Sequence, residues 1–313
     1  MSNIRTESKS TKPNPDEKFL EALIQAENKS LERAISQTAA TLRRRKANIE
    51  PLLKASGMVN SDIDKLLKEG KELSVKSSEF AEKQFSVPAF DIEDLHERDL
   101  VLARENAERM KSPGNPHWQG HIWNPSYGGW WSSWNGEAEE VPNVTFDLSH
   151  NRFDPRAQAW GEGWWDSDFS KMHSYLAFQF SPPSWGRLYV YTYPWLHGYY
   201  SLYSDDAWYK GENARAELDT WVDLHQNYWR SPQYMRRFTM AGDELHPERA
   251  GRIDSQYGHF YSTNVGEGDT VTVRVGLHQY CQAQASGGRS RLNFQGGEAN
   301  YVMVPYVYWY LYH

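Results

Sequence analysis

The first 116 residues contain no tryptophan and no tyrosine, although the 313-residue chain has 14 and 19 of them. That gap divides the chain into two compositions, rich in Leu, Ala, Glu, Lys and Ser first and in Trp, Tyr, Gly and Asp afterwards. Cysteine is nearly absent too: the single Cys281 rules out an intrachain disulfide framework and a cysteine-based zinc cluster. A buried, inert thiol on a strand is the expectation for it. No run of about 18 apolar residues occurs, so no transmembrane helix is predicted. The N-terminal MSNIRTESKSTKPNPDEKF has no apolar signal core. The expected location is cytoplasmic by default, with non-classical release left open. A formal charge of −7 lacks the cationic excess that phosphate-backbone binding uses, so no nucleic-acid partner is expected. The one basic run, Arg43 to Lys46, reads as a solvated helix face.

What is present before residue 113 is helical. Residues 1–15 are too polar to bury anything and predict a disordered tail. From Asp16, Leu20, Leu23, Ile24, Leu31, Ile35, Ala39 and Leu42 recur at three-, four- and seven-residue steps, which places them on one stripe. Pro51 and Gly57 punctuate the pattern. A second helix is predicted from Ser61, capped with Asp64 three residues on, to about Lys83. A third covers Ile92–Lys111 and stops at Pro113-Gly114. Such a stripe needs a partner. Residues 16–112 therefore read either as a bundle folded on itself or on a sheet, or as an intermolecular coiled coil.

After Pro116 the period changes to two. Predicted strands fall near Val144–Leu148 and at Ser174–Phe180, Arg187–Trp195, Gly198–Ser204, Ala214–Tyr228, His259–Val265, Thr270–Ala285, Arg291–Gln295 and Asn300–Tyr312. Leu196-His197 is read as a hairpin turn. With no helical pattern between strands, the fold class is α+β by segregation: a helical bundle or coiled-coil region, then an aromatic-rich antiparallel β-sandwich, jelly-roll-like, over 117–313. Alternation puts Leu188, Val190, Val307, Trp309 and Leu311 inside. Tyr189, Tyr191, Tyr193 and Trp195, with Tyr306, Tyr308, Tyr310 and Tyr312, then form an outer aromatic face. A face of that size needs a user: the N-terminal helices, another copy of the chain, or a stacked ligand. Tyr189, Tyr191, Tyr193, Tyr306, Tyr308 and Tyr310 are accordingly candidate interface residues of a possible homo-oligomer.

Two Trp-rich stretches, His121–Gly136 and Trp160–Phe169, place indoles among glycines. Indole faces stack on sugar rings while neighbouring acids accept hydroxyl hydrogen bonds. Trp130, Trp131, Trp134, Trp164 and Trp165, with Asp166, Asp168 and Glu162, form a candidate glycan site on loops. The alternative is that these tryptophans plug the ends of the sandwich. Glu217, Asp219 and Asp223 share a strand face with Arg215, Trp221 and His225. Paired carboxylates suit glycosidic chemistry, but simple solvent-facing alternation produces the same pattern.

The fragment Arg215-Ala216-Glu217-Leu218 resembles the R-x-E-L strand of jelly-roll alginate lyases. The resemblance implies a uronate-neutralising role for Arg215. It covers four residues, and the Gln-x-His and Tyr-Lys-x-Gly-x-Tyr strands of that family are absent, with His278 and Gln279 in reversed order. His117 and His121 lack a helix and a general-base Glu, and Asp166 and Asp168 lack a calcium-loop pattern, so no metal or other cofactor is expected. No phosphate-binding loop, nucleophile elbow or Cys/His pairing occurs. The combined reading is a noncatalytic recognition or assembly protein that binds glycan and oligomerises through its helices. The alternatives are a self-assembling structural subunit or toxin component, and a polysaccharide-active enzyme built on the Arg215/Glu217 strand.

Overall fold

The computed structural model describes residues 3–8, 17–86, 92–110, 114, 116–136, 140–161, 167–204, 213–226, 233–242, 249–284, 287–295 and 299–313. The chain opens with β1 (Asn3–Ser8), α1 (Glu17–Ala55), α2 (Asn60–Ser86) and α3 (Ile92–Arg109). It continues as β2 (Trp118–Ile122), β3 (Tyr127–Trp134), β4 (Asn143–Asp147), β5 (Arg152–Trp160), β6 (Ser167–Phe180), β7 (Gly186–Thr192) and β8 (Trp195–Tyr203). The remaining strands are β9 (Asn213–His225), β10 (Gln233–Gly242), β11 (Arg249–Gln256), β12 (His259–Val265), β13 (Val271–Gln284), β14 (Arg289–Asn293), β15 (Tyr301–Met303) and β16 (Val307–Tyr312).

Three antiparallel sheets pack together. Sheet A runs β1-β3-β6-β13-β9-β10, and sheet B runs β12-β7-β16-β2. In sheet C, β11 pairs β8, and β14 and β15 lie end to end between β8 and β5, with β4 on the far side of β5. One continuous core joins them. Leu176, Leu218, Val273 and Val275 of sheet A meet Leu188, Val190, Val307 and Leu311 of sheet B and Phe153, Ala157, Leu202 and Leu292 of sheet C. Cys281 lies fully buried in this core, its Sγ donating to Ala157 O at 3.3 Å, and burial pushes the thiol up to about 12.

Several boundaries differ from the sequence reading. The predicted disordered tail is in part a strand: Asn3 sits opposite Trp134 and Ser8 opposite Gly129 in β1–β3. Its backbone pairs with the edge of β3. Pro51 does not end α1, which runs to Ala55. Gly57 ends it, in the left-handed region at φ 80°. Met58 N–H donates to Leu53 O and Gly57 N–H to Lys54 O, each at 3.2 Å, a Schellman closure. Leu196-His197 is not a hairpin turn. β7 belongs to sheet B and β8 to sheet C, and the chain crosses between them at Tyr193-Pro194. Pro194 cannot donate to a ladder, which suits a crossing point.

α2 docks on the outer face of sheet C, and α3 on those of sheets B and C. Phe85 of α2 stacks on Tyr199 at 5.5 Å, and its carbonyl accepts from Arg252 and Asn300, each at 3.1 Å. Ala103 and Ala107 of α3 pack directly on Tyr306, Tyr308 and Tyr310. Small residues there let the helix backbone approach flat rings closely. One turn earlier, Asp99 is 1% exposed, accepting from Tyr301 Oη at 2.8 Å and pairing with His197 Nε2 at 2.9 Å. His197 Nδ1 bonds Asp254 of β11 on its other side. Burial opposes a charge on His197, but the bonds to Asp254 and Asp99 outweigh it and raise its pKa. The bond from His197 lowers that of Asp254.

Asp99→Ala is expected to lower the unfolding free energy by about 3 kcal/mol, the cost of stranding a buried partner, read as a denaturant midpoint. Because the folded pKa of His197 is raised, its contribution is complete below about pH 6.5 and is lost as pH rises through the folded value. The midpoint gap between wild type and His197→Gln should therefore shrink with rising pH. The comparison is made at each pH because burial lowers His259 to about 4, a shift of opposite sign.

Candidate ligand-binding face

Sheet A has two faces, and alternation sorts its residues between them. One face feeds the core. The other carries Tyr127 and Trp131 from β3, Lys171, His173 and Tyr175 from β6, Arg274, His278 and Tyr280 from β13, and Arg215, Glu217, Asp219, Trp221 and Asp223 from β9. Strand register lines these residues up in rows. Trp131, His173, His278 and Asp219 occupy one row: Trp131 stacks on His173 at 4.4 Å and 8°, and His173 on His278 at 4.4 Å. His278 Nδ1 meets Asp219 Oδ2 at 3.0 Å.

The next row is Gly129, Tyr175, Gly276 and Trp221. A Cβ on Gly276 would lie 2.3 Å from Ser174 O and 2.7 Å from Trp221 Cζ2, so only glycine lets Tyr175 and Trp221 close to 5.8 Å. Beyond them Arg274 lies 4.9 Å over Tyr175 and 5.7 Å over Trp221, and its Nε donates to Asp223 Oδ1 at 2.9 Å. Burial works against the charge of Arg274, but Asp223 overrides it and raises the pKa above the usual guanidinium value. In the opposite direction the row is Ser133, Lys171, Tyr280 and Glu217. Arg215 bonds Glu217 and lies 5.9 Å from the Tyr280 ring. Burial pushes the Tyr280 hydroxyl up to about 12.

The polar residues of this face are not solvent-facing, contrary to simple alternation. Glu217 and Asp219 are 5% exposed, Asp223 0% and Arg274 3%. A charge can be buried this far only when an opposite charge or a hydrogen bond meets it, which Arg215 supplies to Glu217 along β9 and His278 and Arg274 supply to Asp219 and Asp223 from β13. The face opens at one end: the Arg215 side chain is 43% exposed, and Lys171, Tyr280 and Gln282 are half-buried.

The sequence-derived site residues scatter. Trp130, Trp131 and Trp134 are not on a loop but on β3, at 9%, 5% and 8% exposure. A strand there sends Trp131 to the polar face and Trp130 and Trp134 to the reverse. Asp168 shares the Leu176 side of β6, also the reverse. Trp164, Trp165, Asp166 and Glu162 lie outside the described residues. Tyr306, Tyr308 and Tyr310 are buried under α3, so their interface is internal to the chain. Tyr189 and Tyr191 are half-buried beside exposed Phe260, and Tyr193 packs with Leu100 and Trp195. Tyr280 and His278 stand opposite Glu217 and Asp219, a pairing that the sequence pattern does not show. The register that joins β13 to β9 is a tertiary fact with no local signature. Among the described residues, no group of three or more His, Cys, Asp or Glu is arranged to hold a metal ion.

No family model and no curated protein matches the chain. Among solved structures, an isomalto-dextranase of Arthrobacter globiformis T6 complexed with panose is similar at 8% identity and TM-score 0.19. The match covers 63% of this chain and 24% of that one. Eiger TNF from S. frugiperda is similar at 12% identity and TM-score 0.17, covering 58% and 95%. TmCBM61 in complex with beta-1,4-galactotriose is similar at 8% identity and TM-score 0.15, covering 57% and 88%. With TM-scores this low, none of these places the chain in a family.

Gly276→Ala is expected to cost about 1–3 kcal/mol through overpacking and to change the near-ultraviolet circular dichroism of the Trp131–Trp221 cluster. A wild-type denaturant midpoint in that variant would remove the close-approach account.

Proposed function

We propose that the protein is a noncatalytic glycan-binding β-sandwich whose site is the open end of the polar face of sheet A. The observation that carries this reading is the composition of that end. Within three adjacent strands it combines the Tyr280 ring, the carboxylates of Glu217 and Asp219, and the Arg215, Lys171 and His278 donors. A sugar offers an apolar ring face and a fringe of hydroxyls. Rings with polar tips, flanked by hydrogen-bonding groups whose rotamers are already held, suit both features. The carboxylates are oriented by Arg215 and His278, so little side-chain freedom is left to lose on binding. Trp131, stacked behind His173, supplies an optical reporter.

The test is a fluorescence titration against an oligosaccharide panel containing neutral and uronate-bearing chains. Glu217→Gln is expected to weaken the best ligand about tenfold, the loss of one charge-assisted hydrogen bond, while the fold persists by circular dichroism. Silence across the panel, or equal affinity in the variant, would sink the reading.

One observation favours a second reading, a polysaccharide-active enzyme of the lyase type. Tyr280 stands opposite Glu217 and His278 opposite Asp219, beside Arg215. A hydroxyl and an imidazole next to a guanidinium are the groups that proton abstraction beside a neutralised carboxylate requires. This version predicts unsaturated-uronate absorbance from a polyuronate, abolished in Tyr280→Phe; no absorbance with wild type excludes it.

A further inference from the structure

A second polar site lies on the other side of the sandwich. β14 sets Arg289 and Arg291 on the outer face of sheet C, opposite Trp160 and Gln158 of β5. α2 crosses this face, and between helix and sheet lies a cavity of about 410 Å³. Its volume falls in the range of about 300–1,000 Å³ typical of small-molecule sites. Lys71, Ser78, Glu79 and Glu82 face it from α2, and Trp160, Arg289 and Arg291 from the sheet.

The two arginines differ in how they are satisfied. Arg291 donates from Nε to Gln158 Oε1 at 3.0 Å and from Nη1 to Glu82 Oε2 at 3.1 Å. Arg289 is 8% exposed, yet among the described residues no carboxylate lies within ion-pair distance of it. Its guanidinium rests 4.3 Å over the Trp160 ring, and Nε donates to Ser74 Oγ at 3.0 Å. Glu79 and Glu140 act on it only at longer range, and burial, reinforced by Arg291, pulls its pKa down to about 10. The other buried arginine among the described residues, Arg274, is answered by the carboxylate of Asp223. Arg289 instead has a cavity.

We propose that this cavity is a binding site for a small oxyanion, a carboxylate or phosphate group, held by the planar fork of Arg289. A guanidinium whose orientation is already set by ring stacking and by one Nε bond presents its terminal nitrogens for bidentate recognition. Lys71 adds a second cation from α2, and Ser78 a hydroxyl donor. Lining charges number three cations (Lys71, Arg289, Arg291) against two carboxylates (Glu79, Glu82). That small excess suits a single anionic group. Glu79 and Glu82 would repel a longer polyanion. Occupancy would also tie α2 to sheet C, because the anion would contact both.

The experiment uses the full chain and titrates inorganic phosphate, acetate and chloride at matched ionic strength, read by calorimetry and by Tm. Phosphate or acetate is expected to bind and raise Tm where chloride does not, and the preferred anion identifies the phosphate or carboxylate source. Arg289→Gln should weaken binding about tenfold. Lys71→Gln, at an exposed helix position that leaves the fold intact, should weaken it severalfold and carries the test should Arg289→Gln fail to fold. Phosphate and acetate no better than chloride, or Lys71→Gln binding as wild type does, would overturn the proposal.

Discussion

Arg274 and Asp223 sit side by side on adjacent strands of sheet A at 3% and 0% exposure, and the surrounding structure follows from keeping that pair satisfied. Two desolvated charges are tolerable only with good geometry and further support. Here the support is the fork of Nε and Nη2 on one carboxylate, with the Tyr175 and Trp221 rings against the guanidinium. Those rings can approach only because residue 276 is glycine. Their position then sets the neighbouring row, where Trp131 packs on Tyr175 and stacks on His173. The polar face is thus a chain of dependencies from its closed end, at Arg274, to its open end, at Arg215.

The other layer solves a different problem. Sheets B and C present tyrosines and arginines outward, and the helices cover them by two kinds of contact. Against rings, α3 offers Ala103 and Ala107, side chains small enough to let a backbone lie close. Against charge, the helices offer matched polar groups: Asp99 for His197 and Tyr301, Glu82 for Arg291, Ser74 for Arg289, and the carbonyl of Phe85 for Arg252. Where the match is complete the helix is clasped to the sheet. At Arg289, where it is not, a cavity separates them.

Much of this was legible in the sequence. The three helices stand close to where the apolar stripes put them, since a 3.6-residue period bounded by Gly57 has few other outcomes. The strands at 259–265 and 271–284 match their alternation, and the aliphatic side of β7 and β16 is the core side. β3 was not legible. Tyr-Gly-Gly-Trp-Trp-Ser-Ser-Trp has no alternation, because both faces of β3 are buried in different surroundings. Glycines at 128 and 129 suggest a loop, whereas they make room for the Phe146 and Tyr175 rings. β1 carries no hydrophobic pattern at all, since an edge strand is held by its backbone.

The sequence alone determined the compositional division at residue 116, the positions of the three helices, and which side of most strands is apolar; it did not show that residues 3–8 join the sheet ahead of the helices. What it determined follows from local periodicity and composition. Tertiary structure alone decided that the polar side of β9 and β13 is buried rather than wet, that Tyr280 and His278 face Glu217 and Asp219, and that α3 rather than a second chain covers Tyr306, Tyr308 and Tyr310. Each of these depends on strand register or helix docking between residues tens to hundreds of positions apart. Side-chain alternation says that a strand has two faces; what lies against each face is set by long-range packing, which leaves no mark in the local sequence.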